Sequence, residues 1–167
     1  MTLHATTLRT PAGDLSLIAR DDVLIAAGFA PIGELADRLP DERLEKFQDL
    51  GGLSAGVQGY LDGDLGAIDD LPTSQPGGAF AQAAWKVMRA VPPGETITYA
   101  ELAGRAGSPN ATRAAGSACA RNLIAPIVPC HRVVRTGGGL GGYYYGLPTK
   151  RWLLAHERRC GLRRLEA

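Results

Sequence analysis

"TYAELAGRAGSPNATRAAGSACARN", residues 98–122, reads as two short helices around a tight turn, and the fold of the C-terminal half rests on that reading. Thr98 and Glu101 stand in capping-box register: a threonine hydroxyl accepts from the backbone N–H three residues on, and the glutamate reaches back to the cap. Gly107 is placed to stop the first helix. Ser108 and Pro109 are expected to supply the N-cap and a preorganised first turn of the second. The pair makes a helix-turn-helix.

The second helix is unusual for what it lacks. Ala111, Ala114, Ala115, Ala118 and Cys119 follow the three-and-four spacing of a buried face, while Thr112, Arg113, Gly116, Ser117 and Ala120 fall on the other side. Apart from Arg113 that outer face is bare. An interior glycine costs about 1 kcal/mol relative to alanine, so the bare face implies close approach to something. Tight packing against a neighbouring helix and entry into a nucleic-acid groove both answer to it.

Working outward, "AFAQAAWKVMRAV" (79–91) has helical periodicity and runs into "PPGE", where proline cannot continue a helix. Ahead of it, "LDGDLGAIDDLPTSQPGG" (61–78) is rich in Asp, Gly and Pro, and the domain boundary is expected there, giving units 1–77 and 78–167. The first begins with "LHATTLR", "LSLIAR" and "VLIAAGFA", separated by "TPAGD" and "DD", a three-stranded antiparallel meander. Short helices follow in "PIGELADRLP" and "GLSAGVQGYLDG". The predicted class is α+β: a small N-terminal antiparallel sheet domain with helices, then a mostly helical domain holding the helix-turn-helix.

The 167 residues carry a net charge of only +1, but the halves differ: residues 1–77 hold 5 Lys and Arg against 13 Asp and Glu, and residues 78–167 hold 13 against 4. Such asymmetry fits either two solvated faces of opposite sign or a polyanionic partner for the basic half. No apolar run approaches the roughly 20 residues that span a bilayer, and the N-terminus lacks the regions of a signal peptide, so a cytoplasmic protein without membrane contact is expected. Cys119, Cys130 and Cys160 are odd in number and unevenly spaced, which fits neither a disulfide framework nor a zinc site.

Cys130 stands apart from the other two. In "IVPCHRVV" (127–134) it follows a proline and precedes His131. A thiol becomes a useful nucleophile only when a base or a positive group favours the thiolate. Adjacent side chains on a strand point to opposite faces, so either Pro129 introduces a turn or a water bridges sulfur and imidazole. Glu157 in "LLAHE" is a candidate to orient the imidazole, and His156 beside it reads as a surface or satisfied histidine.

"PCHRVV", preceded by "TRAAGSACARN" and followed by "GLPTKRWLLAHE", resembles the O6-alkylguanine-DNA alkyltransferases, over roughly residues 78–157 and in outline at the N-terminal sheet. The resemblance implies that Cys130 is the alkyl acceptor, displacing the group from guanine O6 in one in-line attack and reacting once. His131 and Glu157 match the water-linked relay that lowers the thiol pKa. Arg113 matches the arginine that fills the stack in place of the flipped nucleotide. The bare helix, with Thr112, Ala114, Gly116, Ser117 and Ala120, matches one that enters the minor groove of double-stranded DNA. Tyr99 matches a donor to guanine N3, Asn122 a hinge residue, and Lys150 a pocket lysine near the base. The carbonyls of Cys130 and Val133 would read the exocyclic amine of guanine.

The pattern departs from the family in two places. Leu123 follows Asn122 where proline is usual, which implies a less rigid hinge. In "GGYYYG" Tyr143 matches a tyrosine of the binding loop, but Tyr144 and Tyr145 stand where small residues are usual and would either narrow the pocket or stack on the flipped base, with weaker use of bulky O6-benzyl adducts expected. No cofactor or metal is expected, and the protein is expected to be monomeric. A DNA-binding lesion sensor without transfer and a cysteine hydrolase are the competing readings. The reactive cysteine speaks against the first, and a helix-turn-helix with a bare face against the second.

Overall fold

The computed structural model describes residues 2–166, with side chains through Leu162, so the basic side chains Arg163 and Arg164 of the tail lie outside the described residues. The chain divides into two compact units, residues 1–75 with 123–127, and residues 76–122 with 128–167. The expected cut after residue 77 did not anticipate that residues 123–127 group with the first unit.

The first unit is built on β1 (Thr2–Thr10), β2 (Gly13–Arg20) and β3 (Val23–Gly28), paired antiparallel in sequence. Asp21 and Asp22, both at positive φ (50° and 61°), make the two-residue turn between β2 and β3, a conformation that Asp tolerates better than most residues. A fourth strand that the sequence reading missed, β4 (Arg43–Lys46), pairs parallel with β1 and gives the order β3-β2-β1-β4. The helices α1 (Ile32–Ala36) and α2 (Gly52–Leu61) complete the unit, and Leu35 of α1 joins Leu3, Ala5, Ile18, Ile25 and Ala26 in one buried cluster.

The returning segment continues this sheet, with Ala27 N–H donating to Leu123 O at 2.8 Å and Ala125 N–H donating to Ala27 O at 3.0 Å. Leu123 keeps the N–H that proline would lack, and it donates to Gln75 Oε1 at 2.8 Å. A side-chain hydrogen bond therefore restrains the chain where ring rigidity is missing.

The second unit comprises α3 (Ala79–Ala90), α4 (Tyr99–Arg105), α5 (Thr112–Arg121) and α6 (Leu147–Glu166), with a two-residue parallel pairing of β5 (Ile97–Thr98) and β6 (Val133–Val134). The Thr98–Glu101 capping box opens α4 in both directions, and Gly107 takes φ +97° just past its end. The start of α5 differs from expectation. Its N-cap is Ala111 with no side-chain cap, because Ser108 is used in a turn that Ala111 N–H closes onto Ser108 O at 2.9 Å. Trp85 of α3 anchors α5 by donating its indole N–H to Ala118 O at 2.9 Å. A Cβ at Gly77 would lie 2.6 Å from the Trp85 ring, so glycine is required where the chain passes it. No helix among the described residues is long and apolar enough to cross a membrane.

Candidate active site

Within "IVPCHRVV" a turn follows Pro129, one of the two arrangements the sequence left open, and the chain leaves it in β6. Cys130–Arg132 form one turn of 3₁₀ helix, closed by Arg132 N–H donating to Pro129 O at 3.0 Å. Neighbouring side chains therefore diverge. Cys130 reaches the wall of a cavity of about 470 Å³, while His131 is wholly buried behind it.

His131 Nε2 lies 2.7 Å from Glu157 Oε2, and neither residue has solvent-exposed surface. Arg132, which the sequence reading left without a role, is also buried. Its Nε and Nη2 donate to the two oxygens of Glu157 at 2.9 Å each, and Nη1 donates to Val91 O at 2.7 Å. Burial alone would raise the Glu157 carboxyl, but His131 and the Arg132 fork outweigh it and hold the group well below the usual carboxylate range. Burial depresses His131 against the pull of Glu157, so the imidazole stays neutral. An ionised Glu157 only accepts, which places the imidazole proton on Nε2 and leaves Nδ1 as an acceptor. That Nδ1 is buried with no hydrogen-bond partner among the described residues. The arrangement is a base held ready for a proton.

The cavity is also lined by Tyr99, Thr112, Gly116, Cys119, Ala120 and Tyr144. Tyr99 closely meets the glycine loop "RTGGGLGGYYYG" (135–146): a Cβ on Gly141, which sits at φ +74°, would lie 2.6 Å from the Tyr99 hydroxyl oxygen. Burial, with the two nearby thiols, raises the Tyr99 pKa, so the phenol keeps its proton. Cys119 shares the cavity wall, but burial pushes its thiol far up and keeps it protonated. Cys160 and His156 form a separate buried pair at 3.7 Å, with His156 stacked on Trp152 at 4.8 Å, so that histidine is satisfied and not at the surface.

On α5, Thr112, Arg113, Ala114, Ser117 and Ala120 are exposed and Gly116 is half-buried. Ala114, placed on the buried face by its spacing, is corrected to the outer one. Asn122 at the end of α5 donates through Nδ2 to Val128 O at 2.7 Å, tying the helix to the segment that carries Cys130.

Three residues expected at the pocket are not in the cavity lining. Lys150 lies beneath the glycine loop, fully buried, and its ammonium donates to the carbonyls of Val133 (2.8 Å), Leu140 (2.5 Å) and Gly142 (3.2 Å). Val133 is buried and its carbonyl engages that lysine, so it does not line the cavity. Tyr145 stands behind the wall formed by Tyr143 and Tyr144, in edge contact with their rings at 5.8 and 4.9 Å. Arg132 has no local signal in the sequence, because its acceptor Glu157 lies 25 residues further along the chain.

The second unit thus combines a helix-turn-helix whose outer face carries mostly small residues with a cysteine on a cavity wall next to a buried histidine–carboxylate pair. Residues 79–159 match the family described as 6-O-methylguanine DNA methyltransferase, DNA binding domain. The chain is 36% identical over 151 residues to the methylated-DNA--protein-cysteine methyltransferase of Methanosarcina acetivorans, covering 90% of this chain and 96% of that one. The Shigella flexneri protein of the same name is 44% identical over 107 residues, 64% of this chain and 63% of its own length, so the match spans less than two thirds of that relative. The crystal structure of Mycobacterium tuberculosis O6-methylguanine methyltransferase superimposes with a TM-score of 0.79 at 32% identity, covering 94% of this chain and 93% of that one. The same organism's OGT in complex with DNA gives 0.81 at 32% identity, covering 94% of each chain. The chain belongs to the methylated-DNA--protein-cysteine methyltransferase family.

Proposed function

We propose that the protein repairs O6-alkylguanine, chiefly O6-methylguanine, in double-stranded DNA by moving the alkyl group onto Cys130, once per molecule. The observation that carries this is the buried Nδ1 of His131, held as an acceptor behind the cavity-lining thiol by Glu157 and Arg132. The Cys130 proton passes to Nδ1 through one water, and the thiolate attacks the alkyl carbon in line with O6. The S–C bond forms as the C–O bond breaks, and the electron pair stays on guanine. Tyr99, kept protonated, donates to N3 and eases departure of the base. The thioether has no route back, so no turnover follows.

Guanine O6 lies inside the paired duplex, so the nucleotide must leave the stack, at a few kcal/mol. The exposed small residues of α5 fit a backbone approach to the minor groove, and the exposed Arg113 fits the gap left behind. The DNA complex of the M. tuberculosis relative supports the same partner. On this reading residues 1–77 form an N-terminal α/β domain and 78–167 the DNA-binding and transfer domain, working as a cytoplasmic monomer. With excess duplex carrying labelled O6-methylguanine, transfer reaches a plateau at one methyl per chain, and Cys130→Ser takes none. Continued release beyond that plateau would replace this reading with a turnover enzyme.

A further inference from the structure

The glycine loop has a second side. It also lines another cavity, of about 550 Å³, together with Arg135 and Arg151, and no acidic residue is in the lining. The Arg135 stem lies over the turn closed by its own N–H onto Gly139 O at 2.8 Å, and a Cβ at Gly139 would meet the Arg135 Cδ at 3.5 Å. Turn and side chain are thus packed as one piece.

Lys150 sets the polarity of the loop. Its ammonium draws the Leu140 and Gly142 carbonyls inward. Across a trans peptide the carbonyl and the next N–H point in opposite directions, so the Gly141 N–H faces away from Lys150. That N–H makes no hydrogen bond to the described residues, and Gly141 is half-exposed. A backbone donor in a cavity that Arg135 and Arg151 also line, with the buried Lys150 ammonium behind the same loop, is a concavity for an anion. Guanidinium geometry matches the oxygens of a phosphate.

We propose that Arg135 and Arg151, with the Gly141 N–H, clamp one DNA phosphodiester beside the flipped nucleotide. The proposal rests on the reading of the acceptor cavity given above. Arg135, Gly141, Gly142 and Tyr143 line both cavities, so a nucleotide whose base enters one presents its phosphate to the other across the thickness of a single loop.

The test measures single-turnover methyl transfer from an O6-methylguanine duplex and from the free base, between about 50 and 200 mM salt. It uses the intact protein, each arginine-to-alanine variant and the double variant. The double variant lowers the slope of log rate against log salt by about 1 and the ratio of duplex rate to free-base rate by about tenfold. In the wild type, one neutral methylphosphonate next to the lesion reproduces that loss, and in the double variant it adds nothing. An unchanged slope, or equal sensitivity of both proteins to the methylphosphonate at every position, overturns the clamp while leaving the transfer function intact. Absence of transfer from both substrates overturns the function itself, and the clamp with it.

Discussion

Cys130 lies between two regions built on opposite rules. Behind it His131, Arg132, Lys150 and Glu157, four polar or charged side chains, are almost wholly withdrawn from water and bound to one another or to backbone carbonyls. In front of it α5 exposes Thr112, Arg113, Ala114 and Ser117, with one long side chain among them. Buried charges strengthen one another in a low dielectric and can tune a thiol. A bare helix contributes little to stability and lets a large partner come close. In the proposed reaction activation and access fall to different elements, the buried group around Glu157 and the exposed face of α5.

Breaking the rear region gives the largest effects. Glu157→Ala leaves Arg132 as an unpartnered buried cation and His131 without its orienting acceptor. Urea unfolding is expected to show a loss of about 3–5 kcal/mol, and transfer a fall of about 100-fold or more. A loss typical of a surface ion pair, below about 1 kcal/mol, would remove the rear region from the account. Lys150→Met keeps the stem but deprives three carbonyls of their donor, and a loss of about 2–3 kcal/mol is expected in the same assay.

The front region responds differently. Arg113→Ala is expected to slow transfer on duplex DNA by about 10-fold or more with no loss of urea stability, because unpaired nucleotides cost a few kcal/mol to hold out of the stack. Equal slowing on free base would deny Arg113 an intercalating role. Acidification sharpens the contrast. His131 and Glu157 both titrate below their ordinary values in the folded protein, so the unfolded chain takes up protons first. Stability falls as pH drops below about 6.5 through His131, and again below about 4.3 through Glu157. The His131→Asn variant should lose the upper of these two phases in a pH series of unfolding midpoints. The smallest change is expected from Tyr144→Ser, which widens the cavity wall and should raise the O6-benzylguanine rate a few-fold relative to O6-methylguanine. An unaltered ratio would mean that the ring does not limit the pocket.

The elements legible from sequence were those with local signals. The capping box at Thr98 and Glu101, the Asp21-Asp22 turn and the periodicity of α3 follow from neighbouring residues alone. The strand β4 escaped because its pairing with β1 is parallel and spans some forty residues, and its pattern "RLEK" is mostly exposed. Cys130, His131 and Glu157 could be named because a thiol nucleophile requires a base and an orienter. Arg132 and the inward turn of Lys150 could not, since a basic residue reads as exposed until the fold supplies its acceptors. Ala114 was misplaced because an alanine is small enough for either face of that helix.

The most direct measurement is the mass of the protein after mixing with one equivalent of O6-methylguanine duplex, followed by peptide mapping. One methyl in place of one hydrogen, confined to the peptide holding Cys130 and saturating at one per chain, is the expected result. An unmodified Cys130 with the lesion still intact, or the methyl found on Cys119 or Cys160, would contradict the account.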